Sequence, residues 1–106
     1  MSSLQRRWEI LLPRQFNDGR PVPDELFADT ILELRRRFGA VSSETQIIRG
    51  VWQQADVAYR DELVRVFVDV ADSPENRKFF LEYKDQLKSR FQQIEIRLTT
   101  FLIEVY

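Results

Sequence analysis

A chain of 106 residues, 43% apolar and 31% charged, is long enough to build one hydrophobic core and has the composition of a globular domain. It contains neither cysteine nor histidine, which excludes disulfides, thiolate chemistry and imidazole as base or metal ligand. A formal net charge of −1 argues against a nucleic-acid partner, because binding along a phosphate backbone needs a basic footprint.

The opening segment, MSSLQRRWEILLPR, places two arginines before an apolar run that stops at Pro13. It is too short and too interrupted for a signal peptide or a membrane span, so a cytoplasmic, soluble protein with no membrane partner is expected. Within it, Trp8 to Pro13 reads as a first strand, short, apolar and ended by proline. FNDGRPVP, from Phe16 to Pro23, is dense in turn formers and reads as a loop. Phe27, Ile31, Leu34 and Phe38 then recur at helical spacing. Asp24 and Glu25 suit that helix's positive end, Arg35, Arg36 and Arg37 its last turn, and Gly39 its close.

Thr45 to Gln53 reads as a second strand and Leu63 to Val70 as a third. Ser73 is a natural N-cap, with Pro74 at the first helical position and Glu75 behind it. Phe80, Tyr83, Leu87 and Phe91 mark the inner side of the helix that follows. Ile94 to Leu98 alternates as a fourth strand, and Phe101 to Tyr106 either extends it or forms a short fifth. The order β-α-β-β-α-β is the ferredoxin-like α+β arrangement: an antiparallel four-stranded sheet with two helices on one face, in a single domain over residues 1–106. Its expected core is Phe27, Ile31, Leu34, Val66, Val68, Tyr83, Leu87 and Ile96.

A loop centred on Gln54 to Val57 would set Trp52 opposite Tyr59 and Arg49 opposite Glu62. Alternation then gathers Val64, Val66, Val68 and Val70 under the helices. It leaves Ile48, Gly50, Trp52, Tyr59, Asp61, Leu63, Arg65 and Phe67 on the open face. An uncovered face this apolar marks an interaction site. A homodimer through Ile48, Trp52, Leu63 and Phe67 is therefore expected, with twofold pairing the commonest arrangement.

The best polar constellation is Trp52, Tyr59, Arg60 and Glu62, a candidate pocket for a small anionic ligand, since a guanidinium fork suits carboxylate or phosphate. Alternating charges on a hairpin also guard it against aggregation, which is the plainer explanation. NDGRPVPDE lacks the glycine pattern of a phosphate loop, and Asp18, Asp24 and Glu25 lack the spacing of a calcium loop. No metal and no cofactor is expected.

LLPRQFNDGRPVPDELF, a helix ending in RRFG, then GVW, DSPEN and RFQQIEI together resemble a small uncharacterised bacterial family of ferredoxin-like type. Gly50, Val51 and Trp52 match its glycine-x-tryptophan strand, and Phe91 and Gln93 its last helix, while Ile94 stands where that family has an acid. The resemblance implies a fold and no activity. By topology alone the chain is also similar to dimeric α+β barrel proteins, which include cofactor-free oxygenases and non-catalytic regulators. Two functions follow as expectations: a non-enzymatic dimeric module binding a ligand or protein, or a small cofactor-independent isomerase or oxygenase. In the second, Glu62 would be the base, Arg60 an anion clamp and Tyr59 a proton donor.

Overall fold

The computed structural model describes residues 3–52 and 57–106, and between 48 and 61 only the backbone of the described residues. In chain order it holds β1 (Ser3–Pro13), α1 (Asp24–Phe38), β2 (Ser42–Trp52), β3 (Val57–Val70), α2 (Pro74–Arg90) and β4 (Arg97–Val105). The strands lie in the order β2-β3-β1-β4, and every neighbouring pair is antiparallel. This is the ferredoxin-like sheet expected from the element order.

Strand alternation decides what the helices cover. Trp8 pairs with Val68, Ile10 with Val66 and Leu12 with Val64, so one parity of β1 and β3 supplies one apolar face. Leu34 of α1 and Phe80, Tyr83 and Leu87 of α2 share a single buried cluster with those residues, so both helices sit on that face. Phe80 is at its centre, stacked on Trp8 at 4.8 Å and on Phe38 at 5.3 Å, with Phe79 edge-on at 5.1 Å. Each large apolar side chain buried this fully contributes about 1.5–3 kcal/mol.

The helix ends follow their sequence signals. Ser73 Oγ accepts the Asn76 N–H at 3.1 Å, with Pro74 at the first helical position. Gly39 closes α1 in the left-handed region, φ 84°, where its N–H donates to the Arg35 carbonyl. No described helix is long and apolar enough to cross a membrane.

Several details differ from expectation. β1 begins at Ser3, because Arg7 and Arg6 are matched by Asp69 and Asp72 and so are tolerated within and beside the sheet. α1 is rotated so that Thr30 is fully buried while Ile31 and Phe27 are half-buried; the Thr30 hydroxyl donates to the Leu26 carbonyl. β4 begins at Arg97, since Gln92 turns the chain with φ 54° and Gln93 N–H returns to the Lys88 carbonyl, which leaves Ile94 90% exposed. Phe101 to Val105 extends β4, the first of the two alternatives expected for it. The β2–β3 register is also two residues away from the expected one: Trp52 pairs with Val57, Gly50 with Tyr59, Arg49 with Arg60 and Ile47 with Glu62. A two-residue shift preserves parity, so the face assignment survives it. Of the expected loop centre, Gln54 to Val57, residues 54–56 lie outside the described residues and Val57 belongs to β3.

Candidate functional site

The last β1 partner of β3 is Leu63, opposite Pro13. Beyond it, Val57 to Glu62 continues only in company with β2, so the β2–β3 hairpin projects past the end of β1. The segment after Pro13 folds back against the root of this arm. Arg14 N–H donates to the Glu62 carbonyl at 3.2 Å, and Val22 N–H returns to the Arg14 carbonyl at 2.8 Å. Between them Phe16 N–H reaches Arg20 O and Gly19 N–H reaches Phe16 O. The turn needs Gly19 because its φ of 88° is costly for a residue with a Cβ. Asp18 accepts the Arg20 backbone N–H and pairs with its guanidinium at 2.6 Å, and the backbone bond is the main reason its carboxyl sits below the usual range. Arg20 also lies 5.0 Å over the Phe16 ring.

These contacts fix a cleft of about 600 Å³ lined by Pro13, Gln15, Phe16, Asn17, Glu62, Leu63 and Gln93. Its size is that of a small-molecule site. The lining combines one carboxylate residue, three side-chain amides and the apolar Phe16 and Leu63. Gln93 donates to the Phe91 carbonyl at 3.0 Å, whereas among the described residues the side chains of Gln15 and Asn17 make no hydrogen bond. Amides that can donate and accept, an aromatic face and an acid suit a neutral or positively charged polar ligand with a flat ring.

A second concavity, about 480 Å³, lies between the helices and is lined by Glu33, Arg36, Arg37, Phe79, Tyr83 and Gln86. Much of that lining is engaged internally. Arg90 grips Glu33 with both nitrogens, at 2.7 and 3.0 Å, and the Tyr83 hydroxyl donates to the same carboxylate at 2.5 Å. The Arg90 bonds hold Glu33 below the usual carboxylate range, against its partial burial. Burial first, then the carboxylate, pushes the Tyr83 phenol well above its ordinary value. Arg37 lies 4.2 Å over Phe79 and 3.8 Å from Glu75.

Of the four pocket residues expected from the sequence, Glu62 lines the first cleft. The side chains of Trp52, Tyr59 and Arg60 lie outside the described residues. Gln15, Phe16, Asn17 and Gln93 were not anticipated; the signal for the first three was a long turn-rich loop carrying amides and an aromatic residue, and Gln93 comes from the turn after α2.

The open sheet face is less apolar than the sequence implied. Arg65 bonds Glu9 and also Glu44, at 3.0 Å, while Arg7 holds Asp69 through two bonds of 2.7 and 2.9 Å. Phe67 lies between the two guanidiniums, 4.0 Å from Arg65 and 4.6 Å from Arg7. Two of the four expected dimer-face residues, Leu63 and Phe67, are half-buried; Ile48 and Trp52 lie outside the described side chains.

No protein-family model and no curated protein matches the chain. Among solved structures it is similar to a phage SAM lyase in complex with S-methyl-5'-thioadenosine, with a TM-score of 0.64 and 13% identity over 95% of this chain and 88% of that one. It is also similar to a phage SAM lyase in the apo state, at 0.53 and 17% over 98% and 89%. At these identities the likeness shows the fold, a small α+β domain with the same arrangement.

Proposed function

We propose that the chain is a homodimeric binding domain for a small nucleoside-like molecule, neutral or positively charged, of the class of S-adenosylmethionine and S-methyl-5'-thioadenosine. The lining of the 600 Å³ cleft carries the reading. An adenine ring offers flat faces to Phe16 and hydrogen-bonding edges to Gln15, Asn17 and Gln93. Glu62 supplies an acceptor for ribose hydroxyls and an opposite charge for a sulfonium centre. The cleft lining holds no cation among its described residues, so the support runs away from the small anionic ligand expected from Arg60. The complex of one solved neighbour with S-methyl-5'-thioadenosine supports the same ligand class.

A second reading is a cofactor-independent enzyme acting on the sulfonium compound, favoured by both solved neighbours being lyases. In it Glu62 is the base, Arg60 the clamp and Tyr59 the proton donor. Kinship with the small bacterial family sharing the Gly50 to Trp52 strand belongs to the same proposal.

Titration calorimetry with both nucleosides, and with inorganic phosphate as the anionic control, tests the binding. Glu62→Gln should weaken the cationic compound about tenfold more than the neutral thioether, a difference of about 1.4 kcal/mol. No heat with either nucleoside overturns the proposal. Chromatography of the same mixtures separates the two readings: released thioadenosine makes the chain an enzyme, and an intact ligand makes it a binding module.

A further inference from the structure

The two edges of the sheet are built differently. β2 opens with Ser42, Ser43, Glu44, Thr45 and Gln46 ahead of Ile47, with Glu44 tied to Arg65. Polar and charged side chains of this kind discourage pairing with another strand. β4, the opposite edge, reads RLTTFLIEV, in which Glu104 is the only charge after Arg97. Phe101 is 44% exposed, Leu102 53% and Val105 40%, and Leu4, paired to Glu104, adds another exposed apolar side chain. Among the described residues β4 pairs with β1 alone, so its outer backbone N–H and C=O groups stand ready for a further strand.

We infer that β4 is the homodimer interface, pairing antiparallel with β4 of a second copy to join the two sheets into one. The inference rests on the homodimeric part of the proposed function and is independent of the ligand. A second copy is the occupant because an added strand must itself have an unguarded edge, and every copy brings one of equal length. A twofold axis perpendicular to the sheet through Phe101, the midpoint of Arg97–Val105, pairs the strand over its whole length. Thr100 then faces Leu102 of the partner subunit, Thr99 faces Ile103 of the partner subunit and Leu98 faces Glu104 of the partner subunit. No like charges stand opposite each other. This axis keeps parity, so the apolar residues of both copies continue each other's rows and the helices remain on one side.

Sedimentation equilibrium at micromolar concentration should give twice the 12.7 kDa chain mass. Leu102→Lys should raise the dimer dissociation constant at least tenfold with an unchanged circular dichroism spectrum. Val105→Lys, nearer the strand end, serves the same purpose if the first variant folds poorly. Ile47→Lys, on the β2 edge and 48% exposed, should leave association as it was. A monomeric wild type overturns the inference, and calorimetry on that monomer still reads the ligand proposal separately. A dimer that survives both β4 variants, or that Trp52→Glu dissociates instead, also overturns it.

Discussion

Replacing Arg65 with methionine should destabilise the chain far more than its place on an uncovered sheet face suggests. The Arg65 side chain is 15% exposed and its guanidinium bonds Glu9, itself 18% exposed, as well as Glu44, while lying 4.0 Å over Phe67. Its pKa is raised, chiefly by the Glu9 bond. Removing it strands a mostly buried carboxylate. A lost charge-assisted bond costs about 1.5–3 kcal/mol, and residual water access to Glu9 sets the value near the lower end. The cation–π contact adds about 0.5–1 kcal/mol. The sum, about 2–3 kcal/mol, corresponds to a fall in Tm of about 10 °C or more for a domain of this length. Thermal and urea denaturation read it directly. Arg20→Met is the control: its partner Asp18 is 55% exposed, so the change should be clearly smaller than that at Arg65. Equal, small effects from the two variants would refute the view that the open face is closed by its own ion pairs.

Phe80→Ala should cost about 3–5 kcal/mol, a large part of the total for a small domain, because three rings pack on a side chain with no solvent exposure; a loss under about 1.5 kcal/mol in urea would contradict that packing. Glu33 has a folded-state pKa below its unfolded value, so its stabilisation is fully present above the ordinary carboxylate range and is lost as pH falls through the lowered value. Glu33→Gln should accordingly lower stability at neutral pH and flatten the acid limb of a stability–pH curve; a parallel curve for the variant would contradict the Arg90 pairing.

Much of the fold was legible because its signals are local. Ser73 and Pro74 announce α2, Gly39 ends α1, and the alternating valines of β3 declare which face is covered. The open face was misread because its neutralising partners come from another strand. With β1 taken to begin at Trp8, Arg7 had no place opposite Asp69, and nothing in the local pattern brings Glu9 to Arg65. Phe67 consequently looked bare. β4 was placed too early because Ile94 and Ile96 alternate convincingly, whereas the left-handed turn at Gln92 is a property of how α2 must end. The cleft was legible only at Glu62. Its other residues come from the loop after β1 and the turn after α2, which long-range folding alone brings together.

The cleft at the root of the hairpin is proposed to receive a nucleoside-like ligand. Titrating isotopically labelled protein with S-methyl-5'-thioadenosine, followed by amide chemical-shift mapping, tests it most directly. Saturable shifts should concentrate at Gln15, Phe16, Asn17, Leu63 and Gln93, with little change at Arg36 and Phe79. Shifts confined to the groove between α1 and α2, or none at saturating ligand, would contradict it.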